Sequence, residues 1–446
     1  MNIKDYQWHF GFMVCGWSGS ISTEHSLSSG GGFVAGSSRD PQYNLSYIVE
    51  NSVAIGKPII GVSINYRLSA FGFLASNEIA GEGATNLGLK DQRLAMHWVQ
   101  ENIAAFGGDP TKVTIWGESA GSQAVGFHLA AYGGRDDKIF RGAIMESGNP
   151  VYWISLYTPD YFQDTYDTIV GSAGCNTSLD TLQCLREVST DTLNTIINTT
   201  TPALIAGANW TVYAPVMDGD FLQKYTSLQL QEGQFVHVPI LSGANSDEGS
   251  VFSPYGINTT EEFYDALTSF QNFPAVPPFF ADQILEAYPN DPTFDALQNL
   301  GDAQAPAYPY GDQFRRVATY YGDGLIIAGR RQACQTWAAA GNPDVGVKHG
   351  QEIPFAFLNL NVTGDAPETV RLAQFMDGSW ISFVHDLNPN VWRNVWKGDE
   401  AFWPEYSVDG SVIVLDTNVT VHTEPDIWRE AAINLINDNS AGIFNR

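Results

Sequence analysis

The stretch KVTIWGESAG, residues 112–121, joins a strand pattern to a helix pattern through five residues with little conformational freedom. Residues 112–116 have the apolar character of a buried strand, and residues 117–121 match the pattern G-x-S-x-G. Small residues on either side of Ser119 let the strand turn into the helix almost without a loop. The Ser119 hydroxyl is therefore expected at the apex of the turn, and the amide of Ala120 at the start of the helix beside it.

The segments around this stretch have the order of a doubly wound sheet. Residues 89–106 carry apolar side chains at helical spacing and end at Gly107-Gly108-Asp109-Pro110, a helix stop followed by a turn. Residues 122–132 are helical again. Further strands are predicted at residues 58–66, 141–146 and 236–241, and a further helix at residues 44–56. Strands that alternate with helices predict an α/β fold with a mostly parallel sheet.

Several motifs together resemble the type-B carboxylesterase/lipase family of α/β-hydrolases, which includes fungal lipases and cholinesterases. The resemblance extends from about residue 30 to the C-terminus. It implies one α/β-hydrolase catalytic domain over residues 30–446, with helical insertions over the active site. The motifs are Asn65-Tyr66-Arg67, Phe71-Gly72-Phe73-Leu74, Asn86-Leu87-Gly88-Leu89-Lys90-Asp91-Gln92-Arg93, Phe106-Gly107-Gly108-Asp109-Pro110 and Gly117-Glu118-Ser119-Ala120-Gly121.

The first 29 residues depart from the family pattern. Residues 18–29 occupy the place of a buried family strand, yet they are polar and lack strand periodicity, so only residues 10–17 could form a strand there. We treat residues 1–29 as an atypical N-terminal segment. A truncated or mis-spliced gene, a disordered segment and a diverged N-terminus remain as interpretations.

A glycine run follows at Gly30-Gly31-Gly32-Phe33. An isolated run of this kind is more often a flexible connector. In the family that this chain resembles, the glycine loop supplies backbone N–H groups that bind the oxyanion, together with the residue after the nucleophile. The resemblance therefore implies an oxyanion hole made by Gly31, Gly32 and Ala120.

The acid and the base are also assigned through the resemblance. Residues 241–252 (LSGANSDEGSVF) deliver two carboxylates to a loop at the carboxyl edge of the sheet, where ligands of open α/β sheets bind. A loop pair of this kind is usually just solvated. The family motif places the catalytic acid at Glu248, with Asp247 as its neighbour.

The α/β-hydrolase order of nucleophile, acid and base leaves three histidines after Glu248. His385 ends a helical pattern and suits a helix C-terminus, and His422 lies in a threonine-rich, strand-like tail that is expected at the surface. His349 matches the family pattern H-G-x-E-x-P-F, which assigns it as the base.

Composition excludes some partners. The formal net charge of −27 repels phosphate backbones, so nucleic-acid binding is not expected. No apolar run approaches the roughly 20 residues of a membrane span. No metal or cofactor is expected.

Cysteines and sequons bear on localisation. Cys175 and Cys184 bracket a short polar segment, and the family resemblance implies a disulfide between them. Residues 1–17 contain no clean apolar core of a signal peptide. A secreted glycoprotein is nevertheless the expectation, because of the disulfide and the sequons at Asn44, Asn176, Asn198, Asn209, Asn258, Asn361 and Asn418.

The resemblance implies a serine carboxylic ester hydrolase that works through an acyl-enzyme with a Ser-His-Glu triad. Ester substrates would be small molecules or lipids, so a triacylglycerol lipase is an alternative to a carboxylesterase. A truncated or non-catalytic cholinesterase-like protein is a second alternative, although such proteins lose triad members and all three are present here. Acyl-chain preference and oligomeric state do not follow from the sequence.

Overall fold

The computed structural model describes residues 9–16, 27–28, 31–34, 43–205, 212–269, 275–291, 294, 310–340, 352–415 and 421–446. The strands are β1 His9–Gly16, β2 Leu27–Ser28, β3 Ile60–Tyr66, β4 Asp109–Glu118, β5 Gly142–Glu146, β6 Ile240–Gly243, β7 Ser411–Val414 and β8 His422–Pro425. The helices are α1 Ser46–Ala54, α2 Ser69–Phe73, α3 Asn77–Gly81, α4 Leu87–Asn102, α5 Ala120–Gly134, α6 Gln163–Ser172, α7 Thr181–Glu187, α8 Thr190–Ile205, α9 Thr226–Gln231, α10 Thr260–Thr268, α11 Pro278–Ala287, α12 Phe314–Gly322, α13 Ala328–Ala339, α14 Ile353–Ala356, α15 Leu360–Thr363, α16 Pro367–Asp386, α17 Tyr406–Asp409 and α18 Glu430–Asp438. A π-helical turn occupies Asp323–Ile327, and 3-10 turns occupy Ile103–Phe106, Pro159–Phe162, Glu248–Ser250 and Val391–Asn394.

The main sheet has the strand order β3-β1-β4-β5-β6. Strands β4, β5 and β6 are parallel, whereas β1 lies antiparallel between β3 and β4. β7 and β8 form a separate antiparallel pair. The expected mostly parallel sheet is confirmed. The expectation that residues 18–29 lack strand character is wrong for Leu27 and Ser28, which pair in parallel with β4.

The two faces of the sheet follow the period of two that a strand imposes. Trp116, Ile144 and Leu241 point to one face, where they pack in a cluster with residues of α1, α14 and α16. Ile115 and Ile240 point to the other face and pack with residues of α4, α5 and α13. Helices therefore cover both faces, as a doubly wound fold requires.

The long insertion between β5 and β6 is helical, in agreement with the helical insertions that the family resemblance implies. It contains α6, α7, α8 and α9. Cys175 and Cys184 form the disulfide that the family resemblance implies, with an S–S distance of 2.06 Å, and it links the turn after α6 to α7. Within the described part of the chain, no helix has the length and apolar character to cross a membrane.

Candidate active site

The connection between β4 and α5 consists of Ser119 alone. Its backbone has φ 55° and ψ −123°, outside the regions that residues with a side chain ordinarily adopt. The Ser119 N–H donates to the carbonyl of Glu146 at 2.9 Å, and the Ser119 carbonyl accepts from the N–H of Gln123 at 2.9 Å. The strained residue is thus held by β5 on one side and by the first turn of α5 on the other. It stays partly exposed, as a nucleophile requires.

Two glycines make this tight turn sterically possible. A Cβ atom on Gly117 would lie 2.2 Å from the carbonyl oxygen of Gly121, because the end of β4 and the first turn of α5 are in direct contact. A Cβ atom on Gly148 would lie 2.7 Å from the Cβ of Ser122 and 2.8 Å from the carbonyl oxygen of Ser119. The space around the turn is therefore filled by backbone on both sides.

The glycine loop expected to form the oxyanion hole has a left-handed backbone. Gly31 and Gly32 have φ values of 100° and 62°, which glycine adopts without steric cost. The loop is held in place because the carbonyl of Phe33 accepts from the N–H of Ser69 at 2.9 Å. Phe33 is buried in the same apolar cluster as Ala120. This cluster joins the glycine loop to the start of α5.

The acidic loop after β6 distinguishes Glu248 from Asp247. Glu248 is only 2% exposed, and its Oε1 accepts from the N–H of Asn245 at 2.6 Å. Asp247 is partly exposed, and its backbone carbonyl accepts from the N–H and the hydroxyl of Ser250. Of the two acids in this loop, Glu248 is therefore the one whose side chain is buried.

The register of the sheet brings the serine and the acid to one edge. Glu118, Glu146 and Gly243 are directly paired across β4, β5 and β6. Ser119 follows the first of these residues, and the acidic loop follows the last. Neighbouring strands lie roughly 4.8 Å apart, so the two segments leave the sheet about 10 Å from each other.

The histidines differ in what the structure says of them. His349 lies outside the described residues, so its assignment as the base stays a prediction. His385 is in the last turn of α16, and its Nδ1 lies 2.9 Å from Oδ1 of Asp386. His422 is exposed in β8. The expected positions of these last two histidines are confirmed.

Comparison with known proteins decides the family. A model of the carboxylesterase family matches residues 28–428. The chain belongs to this family. The expected fold class, the α/β-hydrolase fold, and the expected enzyme class, a carboxylic ester hydrolase, are confirmed.

Relatives of this chain include fungal lipases. Secreted lipase 1 of Botryotinia fuckeliana is 38% identical over 405 residues, which cover 85% of this chain and 66% of the relative. Lipase 2 of Diutina rugosa is 33% identical over 439 residues, which cover 93% of this chain and 75% of the relative. Secreted triacylglycerol lipase LIP1 of Gibberella zeae is 32% identical over 436 residues, with 93% of this chain and 71% of the relative covered.

A solved structure shows the same fold. The crystal structure of Aspergillus niger EstA superposes on this chain with a TM-score of 0.76 at 26% sequence identity. The similarity covers 94% of this chain and 81% of that chain.

The chain also contains a group of buried acids that the sequence motifs do not explain. Burial, together with the charge of Glu118, raises the pKa of Glu146 to about 8, although indole N–H donors oppose the shift. Burial, followed by the charges of Glu146, Glu118 and Glu248, raises the pKa of Glu352 well above its usual value. The charge of Glu248 in the acidic loop therefore contributes to the raised pKa of the residue that precedes α14.

The sequence motifs assign no role to these acids. Glu118 and Glu352 occupy variable or accessory positions of motifs, and Glu146 is the last residue of a predicted strand. A signal was present, because Glu146 ends the otherwise apolar strand GAIME and a buried strand seldom ends in an acid without a partner.

Proposed function

We propose that the chain hydrolyses carboxylic esters with Ser119 as nucleophile, His349 as general base and Glu248 as the acid that orients the base. The observation that supports this most is the strained conformation of Ser119 at the sheet edge where Glu248 is buried. Strain of this kind persists only where the surroundings enforce it, and it is concentrated at functional sites.

The reaction has two halves. His349 takes the proton of the Ser119 hydroxyl while Oγ forms a bond to the ester carbonyl carbon, and the carbonyl oxygen becomes an oxyanion. The N–H groups of Gly31, Gly32 and Ala120 stabilise this oxyanion. The imidazolium then gives its proton to the departing alcohol, and the acyl group remains on Ser119.

Water completes the turnover by the same steps. His349 takes a proton from water, the hydroxyl adds to the acyl carbon, and the second tetrahedral intermediate releases the acid while the proton returns to Ser119. Glu248 stabilises the imidazolium in both halves. Because the base must be neutral to take a proton, activity should fall at acidic pH as the histidine becomes protonated.

A triacylglycerol lipase is the second candidate, and the names of the fungal relatives favour it.

We propose that the protein is secreted, because two of these relatives are named secreted lipases and because the disulfide fits an oxidising compartment. Five of the sequon asparagines are exposed, whereas Asn209 and Asn418 lie outside the described residues. The exposed ones are Asn44, Asn176, Asn198, Asn258 and Asn361. We also propose that residues 30–446 act as one catalytic domain.

Hydrolysis of p-nitrophenyl butyrate tests the proposal. Ser119→Ala should lower kcat at least about 10³-fold while the melting temperature stays unchanged. Glu248→Gln should lower kcat strongly, whereas its matched control Asp247→Asn should have a small effect. Near-normal turnover by the Ser119 variant, or a larger loss in the Asp247 variant than in the Glu248 variant, would contradict the assignment. A rate that rises sharply on triglyceride emulsions would favour the lipase.

A further inference from the structure

Four buried carboxyl groups gather at the sheet edge that carries Ser119. Glu118, Glu146, Glu248 and Glu352 are each at most 4% exposed. Glu118 and Glu146 are direct neighbours across β4 and β5. The proposed triad uses Glu248, which leaves three buried acids without a role in it.

The Glu146 carboxyl connects several elements. Its Oε1 accepts from the indole N–H of Trp116 on β4 at 2.9 Å and from the indole N–H of Trp380 on α16. The carboxyl also lies within hydrogen-bonding reach of the Glu352 carboxyl, directly before α14. Among the described residues, no donor from another residue reaches Oε2 of Glu146 or either oxygen of Glu352.

A proton is needed between two such groups. Two ionised carboxylates in contact repel each other, and the effect is strong where water is excluded. Buried apolar side chains lie next to the pair, because Trp116, which donates to Glu146, packs on Phe357 at a ring separation of 4.9 Å. Only a proton shared by the two carboxyl groups turns this repulsion into a hydrogen bond.

We propose that Glu146 and Glu352 share a proton at neutral pH, and that this acid pair is a positioning device that holds Glu352, three residues after His349 in the chain, against the strands that carry Ser119. The inference rests on the proposed function. Glu352 follows His349 by three residues in the chain, and the carbonyl of Glu146 itself accepts from the N–H of Ser119. The pair thereby connects the strand end beside Ser119 to a residue three positions after the proposed base.

The titratable groups that face the pair are also acids. The charge of Glu118 raises the pKa of both Glu146 and Glu352, and the charge of Glu248 raises the pKa of Glu352. Tyr43 donates to Oε2 of Glu118 at 3.4 Å. Loss of the shared proton would therefore add a negative charge to a region that is already acidic, and it would replace a hydrogen bond by repulsion. Activity should fall as the pair ionises.

Glu146→Gln tests the pair because the amide oxygen can still accept from the indoles while the amide N–H donates to Glu352 without titrating. In the wild type, kcat/KM for p-nitrophenyl butyrate should fall about tenfold for each pH unit above the ionisation of the pair. In the variant, with each profile normalised to its own maximum, this alkaline fall should disappear. Glu352→Gln should have the same effect on the profile.

Asp377→Asn is the matched control. Asp377 is a fully buried acid on α16, like Trp380, but it is bound by Asn51 on α1 and belongs to no part of the site. Burial raises its pKa well above the usual value, although the Asn51 hydrogen bond opposes the shift. Its replacement should leave the alkaline limb of the profile unchanged.

Infrared spectroscopy gives a readout that does not depend on catalysis. The wild type at neutral pH should show the band of protonated buried carboxyl groups, and Glu146→Gln should remove the contribution of one acid. An unchanged band would overturn the shared proton, and an unchanged alkaline limb would overturn the positioning role. If the wild type hydrolyses no ester, the proposed function is wrong and the positioning role falls with it, whereas the band still decides on the proton.

Discussion

Replacement of Gly117 by alanine should distort the turn that carries Ser119. The added Cβ would lie 2.2 Å from the carbonyl oxygen of Gly121 and 2.7 Å from the amide nitrogen of Ser122, and both are backbone atoms that no side-chain rotation can move. Real Cβ atoms stay at least 3.0 Å from other heavy atoms, so β4 and α5 must separate by about 0.8 Å. Overpacking of this kind costs about 1–3 kcal/mol.

The same displacement should reduce catalysis, because a misplacement of about 1 Å can cost roughly 10²-fold in rate. We therefore expect Gly117→Ala to lower both the melting temperature and kcat/KM for p-nitrophenyl butyrate. Gly171→Ala is the control, since a Cβ on this glycine of α6 meets no atom within 4 Å. A Gly117 variant with wild-type melting temperature and activity would refute this account of the turn. A lower melting temperature with unchanged kcat/KM would show that the reactivity of Ser119 does not depend on the close packing at Gly117.

Two further predictions concern stability. Replacement of Cys175 and Cys184 by alanine should lower the free energy of unfolding by about 2–3 kcal/mol without changing kcat, and an equal loss of kcat would show that the disulfide shapes the site. Although burial opposes it, the guanidinium groups of Arg330 and Arg331 hold the pKa of Asp426 well below its usual range. The stabilisation by Asp426 is therefore present above its usual pKa of 3.8 and is lost as the pH falls, so Asp426→Asn should show a smaller acid-induced drop in melting temperature than the wild type.

The parts of the fold that the sequence predicts well are those encoded locally. The helix expected at residues 89–106 is observed as α4 followed by a 3-10 turn, and the strand at residues 112–116 is observed as the longer β4. Both follow from periodicity and from glycine at the helix end, where Gly107 has φ 92°. The sequence does not predict the short strand β2, because pairing with β4, rather than any pattern in its two residues and their polar neighbours, makes it a strand.

The sequence predicts members of the candidate site where motifs fix the spacing, and it predicts none where only the tertiary structure brings residues together. Ser119 and Glu248 could be assigned because short motifs surround each of them. The contact between Glu146 and Glu352 spans about two hundred positions and depends on the packing of α14 and α16 over β4 and β5. Such a contact leaves no local pattern, since each acid alone resembles a solvated residue.

The buried acids nevertheless have a common physical cause. A carboxylate that is taken out of water without a cation costs several kcal/mol, so a protein core tolerates it only when a proton or a donor compensates. Different groups stabilise the different acids here. Glu248 accepts a hydrogen bond from a backbone N–H, whereas Glu146 accepts hydrogen bonds from two indole N–H groups and lies in contact with Glu352. Because these arrangements occur at the same edge as the strained Ser119, the departures from ordinary core composition coincide with the proposed chemistry, as expected where function outweighs stability.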